Sequence, residues 1–151
     1  MRQFVCARCG AVNRSPDEKD PRAAKCGRCG AQIFTGQPIE VTGGQLALHR
    51  SSTKGGALLL DVWAPWCAPC VAMAPQLAAA AHKLEPEVRV LKVNSDAEPQ
   101  VAQALGVRGI PALFLVADDH VIGRHAGLMR TDRIVRWVRH ALADATASAK
   151  A

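Results

Sequence analysis

Six cysteines fall in three pairs, each with two residues between its sulfurs: "CARCG" (Cys6, Cys9), "CGRCG" (Cys26, Cys29) and "WCAPC" (Cys67, Cys70). Two sulfurs three positions apart can share a metal ion or bond each other, and their surroundings decide which. The first two pairs leave sixteen residues between Cys9 and Cys26, and each ends in glycine. Tetrahedral zinc takes four thiolates from knuckles spaced in this way. Cys6, Cys9, Cys26 and Cys29 are therefore expected to hold one zinc ion per chain. Gly10 and Gly30 allow tight turns and are expected to aim amide N–H groups at sulfur. About forty residues cannot bury enough apolar surface to fold alone, and a metal substitutes for the missing core. Iron is the rival ion, since thiolate knuckles suit it too.

The third pair has no partner pair left. The apolar run "LLLDVW" leads into it as a buried strand, and a helix begins at it. Cys67 thus sits at a helix N-terminus, where amides and dipole favour negative charge, so it is the more thiolate-like sulfur. A thiolate attacks a disulfide to give a mixed disulfide. Cys70, one turn further on, is placed to attack Cys67 and release the reduced client. Cys67 and Cys70 read as a redox-active disulfide that requires no bound organic cofactor.

The elements that must hold these groups follow from pattern. Residues 1–36 are polar, basic and Gly/Cys-rich, and read as a zinc-ribbon module; residues 37–151 read as a separate α/β domain. "PIEV" is a short strand. "GGQLALHRSSTKGG" holds a helix ended by Gly55 and Gly56. "ALLLDVW" is a strand buried on both faces. "CAPCVAMAPQLAAAAHKLEP" is a long helix, with Pro69 in its first turn and Pro75 as an internal kink. "VRVLKVN" alternates and predicts a strand. "EPQVAQALGV" is a short helix stopped by Gly106. "ALFLVADDHVIGRHAG" is a β-hairpin around "ADDH". "TDRIVRWVRHALADA" is a final helix with Thr131 as N-cap and an apolar face of Ile134, Val138, Ala141 and Leu142. "ATASAKA" is expected to fray. The order β-α-β-α-β-α-β-β-α predicts a mixed central sheet, parallel at first and antiparallel in its last hairpin, flanked by helices.

Composition limits the readings. Hydrophobic residues make up 49% of the 151 and mean hydropathy is +0.03, so a packed core is expected. No window approaches the roughly 20 apolar residues of a membrane span. "MRQFVCARCG" lacks an apolar secretory segment, which predicts a cytoplasmic protein without a membrane partner, where thiols stay reduced. Residues 1–38 hold seven basic and three acidic side chains. That surplus offsets a doubly negative zinc–tetrathiolate cluster and is not backed by interleaved aromatics, so no nucleic-acid partner is expected.

"LLLDVWAPWCAPC" and "VRGIPALFLV" together resemble the active-site strand and the cis-proline strand of the thioredoxin family. With the N-terminal ribbon, the whole chain resembles the bacterial zinc-ribbon thioredoxins. The resemblance implies the thioredoxin fold and reduction of protein disulfides. It implies Cys67 as nucleophile, Cys70 as resolving thiol and Asp61 as a buried carboxylate that exchanges the Cys70 proton. Burial in so apolar a run should raise the Asp61 pKa. It also implies Pro111 as a cis proline facing the disulfide. Ile110 would then offer backbone pairing to an extended client, Trp66 would adjoin Cys67, and Gly127 would keep one wall of the client groove low. Lys92 would lie near Asp61, and Trp63 would join the core. The implied partners are client proteins with disulfides and an NADPH-dependent thioredoxin reductase, with the chain as a monomer. Three positions depart from the family pattern: Ala68 where glycine is usual, Ala112 where threonine is common and Val62 where phenylalanine is usual. Ala68 bears on the reduction potential. The rival functions are a disulfide oxidase or isomerase, and a zinc-ribbon adaptor binding protein or nucleic acid.

His49, His82, His120, His125 and His140 show no ligand spacing and are expected at surface or hydrogen-bonded positions. Arg130, Arg133 and Arg136 read as a solvated helix face, and Met73 as core.

Overall fold

The run Ala57–Trp63 forms strand β4, and its first six residues are all buried. A strand can bury both faces only at the centre of a sheet covered on both sides, and β4 has that position. The computed structural model describes residues 1–150. Their elements are β1 (Arg2–Val5), β2 (Val12–Ser15), β3 (Ile39–Glu40), α1 (Gly43–Ser52), β4, α2 (Ala68–Leu84), β5 (Val88–Asn94), α3 (Pro99–Leu105), β6 (Ala112–Ala117), β7 (His120–Ala126) and α4 (Thr131–Lys150). The main sheet has the order β3-β5-β4-β6-β7. β3, β5 and β4 are parallel, and β6 pairs antiparallel with both β4 and β7. This is the predicted mixed sheet.

Alternation along β4 sends side chains to two cores. Ala57 and Leu59 pack with Met73 and Leu77 of α2 and with Ile134 and Val138 of α4. Leu58, Leu60 and Val62 pack on the other face with Leu46 of α1 and Leu105 of α3. Asp61 shares the parity of Ala57 and Leu59, so it lies on the α2 side. The hairpin between β6 and β7 turns through Asp118 and Asp119, both left-handed (φ 48° and 62°), as a two-residue turn matching strand twist requires. Arg50 pins that turn, its Nε 2.7 Å from Asp119 Oδ1.

Several expectations are corrected. β5 does not alternate, since Val88–Leu91 are all buried. The buried residue that broke the pattern is Arg89, 3% exposed, which donates to the carbonyls of Val5 and Ile33. α1 ends at Ser52, with Thr53 N–H bonding His49 O, before either glycine. Its start is a capping box between Thr42 and Gln45. Thr131 is the first residue of α4 and not a cap; its N–H donates to Gln76 Oε1 at 2.9 Å, so a side chain of α2 caps α4. α4 stays helical to Lys150, where fraying was expected; Ala151 lies outside the described residues. Trp63 is half-buried, because its Nε1–H reaches the Glu40 carboxylate at 3.1 Å. His49 is 1% exposed with no partner for Nδ1. Burial, then Arg89, pushes its pKa down to about 4.

Residues 1–36 contain the antiparallel β1-β2 pair and a small core of Phe4, Cys6, Cys26, Ile33 and Phe34. The Phe4 and Phe34 rings meet edge-on at 5.0 Å. Gln3 and Lys54 exchange two backbone hydrogen bonds of 2.9 Å, which fastens this segment near the start of β4. Cys67 follows the other end of β4. The seven residues of β4, at about 3.3 Å each, separate that anchor from the end of the strand by roughly 20 Å.

Candidate functional site

β4 delivers the chain to the surface at Trp63, and Ala64–Trp66 turn it into α2. Cys67 is the N-cap of α2, with extended dihedrals (φ −87°, ψ 106°). Its sulfur accepts from Cys70 N–H at 3.3 Å. A sulfur in this position receives an orphan amide and the positive end of the helix dipole, both of which favour thiolate. Pro69 lies in the first turn, where its missing N–H is no loss. Cys67 and Cys70 are disulfide-bonded, with Cα atoms 5.2 Å apart. Each is 4% exposed. Pro75 lies inside α2, where it leaves Val71 O without its helical donor.

Opposite the pair, the Ile110–Pro111 peptide is cis, and Ile110 O lies 3.7 Å from Cys67 Sγ. Pro111 O accepts from Gly127 N–H at 2.8 Å. A Cβ on Gly127 would meet nothing within 4 Å, but φ is +105°. Backbone conformation therefore favours glycine there. Trp66 is 71% exposed and its Nε1–H donates to Asp96 Oδ1 at 3.1 Å. A cleft of about 530 Å³ opens beside the pair, between Trp66, Pro69, Val107, Arg108 and Ile110. Asp96 and Arg108 were missed from sequence, and no local pattern distinguishes them from ordinary surface residues.

Asp61 is 2% exposed, and its Oδ1 has no hydrogen-bond partner. Burial raises its pKa to about 7; Lys92 opposes that rise and Glu40 adds to it. Lys92 stands beside Asp61 in the β4-β5 register, with Nζ 4.5 Å from the Trp63 ring centre. Glu40, held by Trp63, was not foreseen. Asp61 is thus a buried group that can hold or release a proton near neutral pH.

The other four cysteines converge. Their sulfurs all lie within 4.8 Å of one another, with Cys6–Cys29 and Cys9–Cys26 both at 3.6 Å. Zn–S bonds of about 2.3 Å imply tetrahedral S···S edges of about 3.8 Å, so the cage fits a zinc-sized ion. The two knuckles repeat one turn: Gly10 N–H bonds Cys6 O at 2.9 Å, and Gly30 N–H bonds Cys26 O at 2.8 Å. The glycine amides therefore go to carbonyls and not to sulfur, because left-handed φ values of 78° and 77° close the turn that way. Donors on Cys26 Sγ include Arg28 N–H at 3.4 Å and Asn13 Nδ2 at 3.5 Å. Such donors stabilise metal-bound thiolates. Asn13 also ties β2 to the second knuckle by accepting from Gly27 N–H at 3.0 Å. Among the described residues no helix is long and apolar enough to cross a membrane.

The family model named Thioredoxin matches residues 48–140. The chain is similar to thioredoxin C-3 of Corynebacterium nephridii, 36% identical over 135 residues, covering 89% of this chain and 92% of that one. With so little of the chain outside it, the similarity reaches into the N-terminal cysteine segment. Thioredoxin of Rhodospirillum rubrum is 39% identical over 83 residues, 55% of this chain and 80% of the relative. Among solved structures, a mutant thioredoxin from Halobacterium salinarum NRC-1 superposes with a TM-score of 0.63 at 29% identity, covering 70% of this chain and 91% of that one.

Proposed function

The chain belongs to the thioredoxin family and is a thioredoxin-type disulfide oxidoreductase, and from that premise we propose that it works as a reductant of protein disulfides. The observation that carries the reading is the Cys67 sulfur at the α2 N-cap with Cys70 N–H upon it. In the reduced protein the Cys67 thiolate attacks a client disulfide, forming a mixed disulfide and expelling a client thiolate that takes a proton. The Cys70 thiol gives its proton to the Asp61 carboxylate and attacks Cys67 Sγ. A second client thiolate leaves, and the Cys67–Cys70 disulfide remains. Ile110 pairs with the extended client beside the cis Pro111, Trp66 lines the groove, and Gly127 shapes its wall.

Residues 1–36 form a zinc-ribbon module and 37–151 the redox domain. Zinc at Cys6, Cys9, Cys26 and Cys29 supplies folding energy to a segment with little core of its own. The four converging sulfurs support this reading. The alternative to this structural role is a redox-sensing one, since oxidation of those thiolates would release the metal. An NADPH-dependent thioredoxin reductase returns Cys67 and Cys70 to thiols in a cytoplasmic, monomeric protein.

The reduction potential of the Cys67–Cys70 pair tests the direction, read by tryptophan emission in glutathione buffers with metal content checked at each point. A value near that typical of thioredoxins, about −270 mV, supports a reductase despite Ala68. A value between about −180 and −120 mV makes it an isomerase or oxidant.

A further inference from the structure

The groove beside the sulfurs does not end at the cis proline. Residues 106–110 form a ridge, with the 530 Å³ cleft on its sulfur side and a second cleft of about 210 Å³ beyond it. Val107, Arg108 and Gly109 line both. The floor of the second cleft is apolar, from Ala112, Phe114 and Ala126, and its walls carry Arg108, Arg124 and His125. Arg124 is held in place: Nη1 donates to Leu105 O at 3.1 Å, and the guanidinium carbon sits 5.7 Å from the Phe114 ring centre. Among the described residues neither Arg108 nor Arg124 forms an ion pair. Arg133 adds a further cation near His125. Asp96, beside the sulfur-side cleft, is engaged by Trp66.

We propose that this surface selects client segments carrying a carboxylate side chain a few residues from the target cysteine, read by Arg108 and Arg124 across the 106–110 ridge. The proposal rests on the reductase reading above. An extended client advances about 3.3–3.6 Å per residue, so two to four residues carry it from the Cys67 sulfur over the ridge. A glutamate suits the second cleft, with methylenes on Phe114 and a carboxylate facing two uncompensated guanidinium groups. A lysine there meets like charge, which supplies discrimination as well as attraction. The interaction is exposed, so its effect is moderate and falls with salt.

The test uses the full zinc-loaded chain and three disulfide-looped peptides identical except for Glu, Gln or Lys three residues from the cysteine. Turnover is driven by dithiothreitol and normalised to the neutral hydroxyethyl disulfide. The expected order of kcat/KM is Glu above Gln above Lys, spanning about fivefold to tenfold at low salt and shrinking at high salt. In Arg108→Glu combined with Arg124→Glu the order reverses. Equal rates for the three peptides, or a glutamate preference that survives the double reversal, overturns the proposal. Failure to reduce even hydroxyethyl disulfide removes the reductase reading, and the proposal with it.

Discussion

Arg89 Nη2 donates to the carbonyl of Ile33 at 2.7 Å, from a β5 position that is 3% exposed. A second nitrogen of the same guanidinium donates to Val5 O, and its carbon lies 5.4 Å from the Phe34 ring centre. One side chain of the main sheet thus satisfies carbonyls from both ends of the cysteine-rich segment. Glu85 contributes from the same end of the sheet, accepting from Gly36 N–H at 2.6 Å.

Arg89→Ala removes both bonds and leaves two buried carbonyls unpaired, a loss of about 2–4 kcal/mol. Arg89→Lys keeps a charge but not the fork, and should fall between. Urea unfolding and hydrogen exchange of residues 1–36 check this. Equal stability of Arg89→Ala and the parent would show that the segment is anchored elsewhere.

Asp61 makes stability depend on pH with a defined sign. Its folded pKa of about 7 lies above the unfolded value of 3.8, so the folded chain holds this proton more tightly. The resulting stabilisation is fully present below about pH 4 and is lost as pH rises through 7, on the order of 4 kcal/mol in all. Asp61→Asn has no proton to lose. Its stability relative to the parent should climb between pH 4 and 8, measured as urea midpoints across that range. Parallel pH profiles for the two proteins would contradict the burial argument.

Much of this was legible in the sequence. The cysteine spacings, the continuous apolar run at 57–62 and the isolated Asp61 within it predict strand, helix and buried acid, because each is a local pattern with one physical solution. The residues that join one part to another were not legible. Arg89 reads as the polar member of an alternating strand until Val5 and Ile33 are placed beside it. Gln76, Asn13, Arg108 and Asp96 are ordinary surface types whose partners come from distant segments.

Gln76 gives a measurable instance. Its Oε1 accepts Thr131 N–H at 2.9 Å and lies 2.6 Å from Thr131 Oγ, so α2 caps α4. Gln76→Ala should cost about 1 kcal/mol, as loss of a helix cap does. Gln76→Glu keeps the acceptor and adds negative charge at a helix N-terminus, so it should be neutral or stabilising by a few tenths of a kcal/mol. Thermal unfolding separates the two; a large loss in Gln76→Glu would contradict the capping role.

Metal removal should act on residues 1–36 and leave the disulfide chemistry in place. One zinc per chain is expected by metal analysis, falling well below that in Cys26→Ser. A chelator should raise hydrogen exchange across residues 1–36. Reduction of disulfide peptides should persist, because Cys67 stands at the far end of β4 from the Gln3–Lys54 anchor. Loss of peptide reduction on chelation, with residues 57–117 still protected, would mean that the two centres are coupled.

The division of labour between Cys67 and Cys70 decides between turnover and binding. Both are 4% exposed as a disulfide, so accessibility does not distinguish them. The N-cap position and the Cys70 N–H on its sulfur favour Cys67 as the attacking thiolate. Cys70→Ser should therefore accumulate a client mixed disulfide, which peptide mass analysis would locate at Cys67. Cys67→Ser should lose client reduction by on the order of a thousandfold or more. An adaptor that merely binds through the zinc ribbon would keep its partner in both variants and trap nothing. A mixed disulfide found at Cys70, or turnover that survives Cys67→Ser, would reverse the assignment of nucleophile and leave the α2 N-cap without its chemical role.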